Sequence, residues 1–165
     1  MTDYCKEFKQ VIRKVSSALD KNALGKKIDP AKYEVDVRKA PHKRPTPKDM
    51  EGKMGVYAFL YEEEDRFLKI GKAGPKSKQR FSSHHYNPKA SRSTLAASLK
   101  NDPEMCSKIK KGVKIGDWIL ENCQRIDVLI DADLDISVLA LIEAALHYYY
   151  EPKYEGFDSQ RKNKS

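Results

Sequence analysis

The sequence lacks any long apolar run, and it contains few cysteines. No stretch approaches the roughly 18 consecutive apolar residues that a membrane-spanning helix requires, and the first residues lack the apolar centre of a secretory signal. The three cysteines, Cys5, Cys106 and Cys123, are widely separated and form no Cys-x-x-Cys pair, so neither a disulfide framework nor a zinc site is expected. These absences predict a protein of the reducing cytoplasm with no membrane partner.

Internal repeats are absent as well, and only the C-terminal end is uniformly polar. The 165 residues, 39 % of them apolar, are enough for one domain with a proper core and too few for two comfortable ones. We therefore expect an N-terminal helix and basic, proline-containing arm over residues 1–53, a globular domain over 54–157 and a polar tail over 158–165.

Positive charge is concentrated in the middle of the chain. The net charge is +8, but the segment from Arg66 to Lys114 alone has 13 Lys/Arg against two Asp/Glu, a local net charge of +11. Such a segment either repels itself or meets a polyanion, for which a phosphate backbone is the usual partner. A surface that is simply rich in lysine would account for the charge as well.

Basic and hydroxyl-bearing side chains in this segment are the expected contacts to nucleic acid, because Arg, Lys and small hydroxyls make most backbone contacts in DNA complexes. For Ser93 and Thr94 the alternative is an ordinary helix cap. The candidate contact residues are Lys72, Lys76, Lys78, Tyr86, Lys89, Arg92, Ser93 and Thr94.

The hydrophobic spacing predicts a mixed α/β (α+β) fold, with a small, mainly antiparallel sheet flanked by helices and an N-terminal helical extension. The prolines between Lys26 and Lys53 disfavour regular structure there and indicate an arm or connector. The predicted elements are a helix from Tyr4 to Leu24 stopped by Gly25, a hairpin of Val56–Tyr61 and Phe67–Ile70, a helix from Ser77 to about His85, a helical patch at Thr94–Leu99, a short helix around Trp118, a strand at Ile126–Ile130 and a helix from Leu134 to Tyr150.

Five side chains suited to phosphate chemistry follow one another along this framework: Tyr57, Lys69, Arg80, His84 and Glu143. The hairpin would bring Tyr57 and Lys69 onto adjacent strands, and His84 would lie one helical turn beyond Arg80. Glu143 has mostly apolar neighbours in the last helix, where an ionised carboxylate is costly unless it is paired or bound to metal.

Each of these residues also has an ordinary structural explanation. A tyrosine or lysine in a hairpin is usually a cross-strand packing residue, and a helical glutamate is usually exposed. Arg80 could be solvated or salt-bridged. Either His84 or its neighbour His85 could face the site, and a lone histidine is more often structural. Only as an ordered set do the five favour a functional site.

As a set they resemble the GIY-YIG nuclease superfamily, over about two thirds of the chain from Met54 to Tyr154. Lys69 stands where most of the family has tyrosine, a replacement that some restriction enzymes of the superfamily share, and no asparagine follows the glutamate helix in residues 151–156. The resemblance implies a GIY-YIG-like nuclease domain over 54–157, double-stranded DNA as partner and Mg²⁺ or Mn²⁺ as cofactor. It is carried by Gly55-Val56-Tyr57, Lys69-Ile70-Gly71, Gly74, Arg80, His84 and Glu143.

Phosphodiester hydrolysis needs a nucleophilic water, stabilisation of charge on phosphorus and help for the leaving oxygen. Glu143 would hold the divalent ion, since a single carboxylate with several waters is typical of magnesium. Arg80 would grip the non-bridging oxygens with its planar fork. Tyr57, made more acidic by Lys69, would be the general base, and His84 would accept its proton or fix its orientation.

The sequence thus favours a metal-dependent DNA endonuclease, restriction-like because the chain has no room for a separate targeting domain. Two copies, as a homodimer, could cut both strands, and the oligomeric state is left open. One alternative is a DNA- or RNA-binding module that has kept the fold and lost turnover. Another is a structural RNA-associated protein that is merely basic.

Overall fold

A computed structural model of the protein describes residues 2–21, 27–90 and 94–154. Within these ranges, short 3₁₀ turns at Pro30–Lys32, Pro47–Met50, Glu62–Glu64 and His84–Tyr86 link the regular elements. The helices are α1 (Tyr4–Lys21), α2 (Lys78–Ser82), α3 (Leu95–Lys100), α4 (Pro103–Lys108), α5 (Ile115–Asn122) and α6 (Ile136–Tyr150), and the strands are β1 (Tyr33–Arg38), β2 (Lys53–Tyr61), β3 (Arg66–Ala73) and β4 (Cys123–Asp131).

The four strands form one antiparallel sheet in the order β1-β4-β2-β3. The hairpin of β2 and β3 turns through Glu62–Glu64 and closes at Asp65, whose φ of 48° lies in the left-handed region. This architecture confirms the predicted α+β class, with an antiparallel sheet flanked by helices and a helix at the N-terminus. Among the described residues, no helix has the length and apolar character of a membrane span.

The sheet carries a hydrophobic core on each face. Alternate residues of a strand point to opposite sides, so Val56 and Ala58 pack with α1 and α6 while Tyr57 and Phe59 pack on the other side with Phe81 of α2. Both faces being covered explains why β2 is a nearly continuous apolar run. Strand β2 lies between the two cores, and β3 forms an edge of the sheet.

The interpretation of residues 26–53 as an irregular arm is wrong for Tyr33–Arg38. This segment pairs with β4 from Tyr33 opposite Ile130 to Arg38 opposite Arg125, because its alternating apolar residues pack beside the core beneath α1. The following proline-rich stretch is attached as well, since His42 donates its backbone N–H to the Leu120 carbonyl at 3.0 Å. The predicted helix stop at Gly25, residues 155–157 and the tail over 158–165 lie outside the described residues.

The helix expected from Ser77 to about His85 is shorter than predicted. Helix α2 ends at Ser82, and Ser83, with φ −122° and ψ −29°, leaves the helical region before the turn His84–Tyr86. Arg80 and His84 therefore do not share one helical face. The two histidines that follow Ser83 belong to a separate turn, and this decides which of them meets the sheet.

Candidate active site

The ring of Tyr57 lies across the neighbouring strand. Tyr57 pairs with Gly71 in the β2–β3 register, and a Cβ atom at Gly71 would lie 2.6 Å from the Tyr57 hydroxyl oxygen and 2.8 Å from its Cζ. Only a residue without a side chain leaves that space. The glycine at position 71 therefore has a direct physical reason, which is room for this tyrosine.

Arg80 reaches the same tyrosine from α2. Its Nε donates to the Tyr57 hydroxyl oxygen at 3.3 Å, while the rest of the residue is exposed. Phe81, the next residue, is buried against the sheet, and a Cβ at Gly55 would lie 3.0 Å from its ring. Gly55 therefore lets α2 approach closely enough for Arg80 to contact Tyr57.

His85, and not His84, packs against Tyr57. The His85 side chain is 1 % exposed and its ring centroid is 4.3 Å from that of Tyr57, whereas His84 is half-buried at the start of the turn. The choice of His84 from an assumed helical spacing is corrected accordingly, because α2 ends before either histidine.

The tautomer of His85 follows from its one hydrogen bond. Its Nδ1 accepts from the Leu95 backbone N–H at 3.3 Å, so in the neutral ring the proton is on Nε2. Burial lowers the pKa of His85 well below its usual value, and the charge of Arg125 adds to the shift. His85 is therefore neutral at pH 7, and its buried Nε2 has no hydrogen-bond partner in the described part of the chain.

Lys69 lies where the hairpin predicts, but it does not acidify Tyr57. It is 7 % exposed and pairs with Phe59, two residues along β2 from Tyr57. Burial raises the pKa of Tyr57, and the cations that oppose this rise are Arg80 and Arg125. The expected acidification by Lys69 is thus wrong in direction, and Tyr57 is a neutral phenol at pH 7. The charge of Lys69 acts instead on His85, whose pKa it helps to lower.

Glu143 lies on α6 and makes an ion pair across the edge strand. Its Oε2 accepts from the Lys72 ammonium, and the side chains of Lys72 and Glu143 are 45 % and 19 % exposed. The charge of Glu143 contributes to raising the pKa of Tyr57. The carboxylate is therefore paired and partly exposed, which is one of the two outcomes that its apolar sequence context required. Lys72, expected to contact phosphate, is here bound to a carboxylate.

Within the described residues, Glu143 is the carboxylate that the sequence indicates for a divalent ion, and such an ion would take most of its ligands from water. In residues 2–21, 27–90 and 94–154 there is no group of three or more His, Cys, Asp or Glu that could hold a metal. Glu143 offers a single hard carboxylate that already accepts a cationic group, the Lys72 ammonium. One carboxylate with several waters is a ligand set that Mg²⁺ tolerates. His147, one turn beyond Glu143, has its Nε2 3.1 Å from the Ile70 carbonyl oxygen.

The candidate contacts to nucleic acid divide into surface and interior residues. Lys76 and Lys89 are exposed, as a phosphate-binding surface requires, and Lys78 is half-buried. Tyr86 and Thr94 are 3 % and 2 % exposed, so their expected surface role is wrong.

Each of the two interior residues has a structural task. The Tyr86 hydroxyl is bonded to Arg125 at 3.2 Å and to His42 at 3.1 Å. Thr94 caps α3 by accepting from the Ala97 N–H at 3.1 Å, which is the capping alternative noted for it. Arg92 and Ser93 lie outside the described residues.

Sequence reasoning missed a buried ion pair beneath the site. Arg125 and Asp127 on β4 are both 0 % exposed, and Arg125 Nε lies 2.9 Å from each carboxylate oxygen of Asp127. The alternation of residues along β4 could have revealed it, because Arg125 and Asp127 alternate with Ile126 and Val128 and therefore lie on the same face of the sheet. Starting the strand at Ile126 concealed this pattern.

Comparisons of the chain with family models, with curated proteins and with solved structures gave no match.

Proposed function

We propose that this protein is a divalent-metal-dependent endonuclease of the GIY-YIG type that hydrolyses DNA phosphodiester bonds. The observation that carries the proposal is the 3.3 Å bond from Arg80 Nε to the Tyr57 hydroxyl. It joins a strand and a helix at the point where Gly71 has made room for the tyrosine. Two of the five predicted residues, Tyr57 and Arg80, are thus in direct contact, and the charge of Glu143 contributes to the raised pKa of Tyr57.

Arg80 is suited to hold the scissile phosphate. Its Nε bonds Tyr57, and a guanidinium carries further N–H donors in a fixed fork. Arg80 is exposed as a residue, and the terminal nitrogens of a guanidinium can bond two non-bridging oxygens at once, with a geometry that lysine does not offer. Because Tyr57 fixes Nε, the fork is oriented before substrate arrives, which lowers the cost of ordering it.

Tyr57, which bonds Arg80, and His85, which packs against Tyr57, would supply the proton donors once substrate binding makes them accessible. The Tyr57 oxygen accepts from Arg80 and keeps its own proton, which it can donate to a phosphate oxygen or use to orient a water. His85 carries a proton on Nε2. A divalent ion bound at Glu143 would supply Lewis-acid stabilisation of the charge that develops on phosphorus and on the leaving oxygen.

A second candidate function is a DNA- or RNA-binding module without turnover. The observation in its favour is that Tyr57 is 0 % exposed while Lys72 already occupies the carboxylate of Glu143. Cleavage would require both groups to become accessible when DNA and metal bind. Binding through exposed lysines such as Lys76 and Lys89 would require neither.

Nicking of supercoiled plasmid in Mg²⁺ or Mn²⁺ separates the two functions, with EDTA and Ca²⁺ as metal controls. The endonuclease proposal expects nicking that needs Mg²⁺ or Mn²⁺. It also expects His85→Ala to lose most of this activity, while His84→Ala, a matched control one residue away, keeps most of it. Circular dichroism would verify that both variants are folded. Tight DNA or RNA binding with no nicking in either metal would favour the second function.

A further inference from the structure

The buried guanidinium of Arg125 bonds three separate parts of the protein. Its Nε bonds both Asp127 oxygens at 2.9 Å, its Nη1 donates to the Tyr86 hydroxyl at 3.2 Å and its Nη2 donates to the Phe81 carbonyl at 2.8 Å. The planar fork is therefore bonded on each of its nitrogens. A lysine ammonium at this place could not span these partners.

Two of these partners, Phe81 and Tyr86, lie at the two ends of the segment that connects Arg80 to His85. Phe81 directly follows Arg80, and Tyr86 directly follows His85. The Phe81 carbonyl belongs to the last turn of α2, where helix carbonyls have no partner within the helix. One side chain on β4 thus fixes both ends of the stretch that brings Arg80 and His85 to the tyrosine.

The same guanidinium also lies against the rings of this face. Its Cζ is 4.6 Å from the ring centroid of Phe81, 5.2 Å from that of Phe59 and 5.8 Å from that of Tyr57. Such contacts are attractive for a cation over an aromatic face. The position of Tyr57 is therefore coupled to Arg125 through packing as well as through the segment above it.

Stability alone is a weak explanation for this pair. Removing two charges from water costs several kcal/mol per ion, and apolar residues of similar volume often replace a buried pair with no loss of stability. Arg125 and Asp127 are both 0 % exposed, so neither can contact DNA. What the pair provides, and apolar residues would not, is directed hydrogen bonding to Phe81 and Tyr86.

We propose that Arg125, oriented by Asp127, is a positioning residue that sets Arg80 and His85 against Tyr57 in the geometry needed for turnover. The inference rests on the proposed nuclease function. Arg125 acts through these residues and does not touch the substrate. Its removal should therefore lower kcat far more than it raises KM for DNA, since Arg80 would supply only part of the binding and exposed lysines such as Lys76 and Lys89 would remain in place.

Arg125→Lys tests the geometry with the charge retained. We expect kcat to fall by about 100-fold, the loss that a misplacement near 1 Å causes, with KM for DNA within about twofold of the parent. Arg66→Lys is the control, because Arg66 is exposed on the edge strand β3. It should keep kcat within about threefold. Equal kcat in Arg125→Lys and the parent would overturn the proposal.

The double variant Arg125→Met/Asp127→Leu guards against a folding artefact, since it replaces the pair by apolar residues. It should fold as stably as the parent and bind DNA with similar affinity, and it should lose turnover. Should either Arg125 variant fail to fold, the other decides the question. A folded double variant that cuts within about threefold of the parent would overturn the proposal.

Amide hydrogen exchange separates this inference from the nuclease proposal. In both Arg125 variants we expect exchange within residues 81–86 to accelerate about tenfold or more, while α4 keeps the parent's rate. If the parent itself does not cut DNA, the nuclease proposal fails and exchange still reports whether Arg125 holds the segment. Unchanged exchange over residues 81–86 would refute the positioning role whatever the activity.

Discussion

Replacing Gly71 by alanine should move Tyr57 out of its place. The new Cβ would lie 2.6 Å from the Tyr57 hydroxyl oxygen, 2.8 Å from Cζ and 2.9 Å from Cε2. Ordinary contact begins at 3.4 Å, so the ring must retreat by 3.4 − 2.6 = 0.8 Å at its hydroxyl end. Tyr57 is 0 % exposed and packed on the sheet face, so the shift must be shared with its neighbours.

The magnitude follows from overpacking. Forcing extra atoms into a packed core costs about 1–3 kcal/mol, and alanine regains roughly 0.5–1 kcal/mol over glycine within a strand through chain entropy. We therefore expect a net loss of about 1–2 kcal/mol in the free energy of unfolding. Displacing the hydroxyl by most of an ångström should also lower the cleavage rate by about 100-fold.

Urea denaturation of Gly71→Ala and Gly74→Ala measures this effect with a matched control. A Cβ at Gly74 would have only the Ile136 Cδ1 nearby, at 3.9 Å, so Gly74→Ala should be neutral or slightly stabilising. In a Tyr57→Phe background, Gly71→Ala should cost less stability, because the hydroxyl oxygen closest to the new Cβ is absent. If both alanine variants are as stable as the parent and Gly71→Ala cuts normally, Tyr57 does not lie over Gly71.

Three further outcomes are expected. Lys72→Met should tighten Mn²⁺ binding without DNA by about twofold to fivefold, as expected for an exposed ion pair, in titrations followed by electron paramagnetic resonance. Unchanged affinity would argue against a metal at Glu143. Lys76→Ala with Lys78→Ala should lower the slope of log affinity against log salt by about 2, and an unaltered slope would remove both lysines from the interface. Burial favours a higher pKa for Asp102, but hydrogen bonds from Lys153 and Tyr154 outweigh it and lower the pKa to about 2. A carboxyl whose pKa is lower in the folded than in the unfolded state stabilises the fold at any pH above its unfolded-state pKa. This stabilisation is lost as the pH falls through the folded-state pKa. Asp102→Asn should thus lower the free energy of unfolding by about 1–2 kcal/mol at pH 7, after allowance for solvent screening. The difference in stability between variant and parent should disappear between about pH 4 and pH 2, and a difference that stays constant with pH would contradict the lowered pKa.

The elements that could be predicted from the sequence are those whose pattern of apolar residues is local. The hairpin of β2 and β3 and helix α6 are of this kind, because alternation or helical spacing of apolar residues is visible within a few turns. Strand β1 was missed because its pairing with β4 is non-local and because Pro30 and Pro41 lie three residues before and after it. A short strand among turn residues carries too weak a local signal to be separated from an irregular arm.

The candidate site divides in the same way. Tyr57, Arg80 and Glu143 could be chosen as candidates from their order in the sequence. The choice of His85 over His84 depends instead on the backbone conformation at Ser83, which no spacing rule reveals. Arg125 was out of reach for a different reason. Its bonds to Phe81 and Tyr86 join positions 44 and 39 residues away along the chain.

Cleavage of supercoiled plasmid in Mg²⁺, measured together with DNA binding in Ca²⁺, tests the central claim most directly in the parent, Glu143→Ala and Arg80→Ala. Glu143→Ala should abolish cleavage and keep or strengthen binding, because removing the carboxylate also releases the Lys72 ammonium. Arg80→Ala should lose turnover and some affinity, since its guanidinium would hold the phosphate in both ground and transition states. A folded Glu143→Ala protein that still cuts DNA would contradict the account.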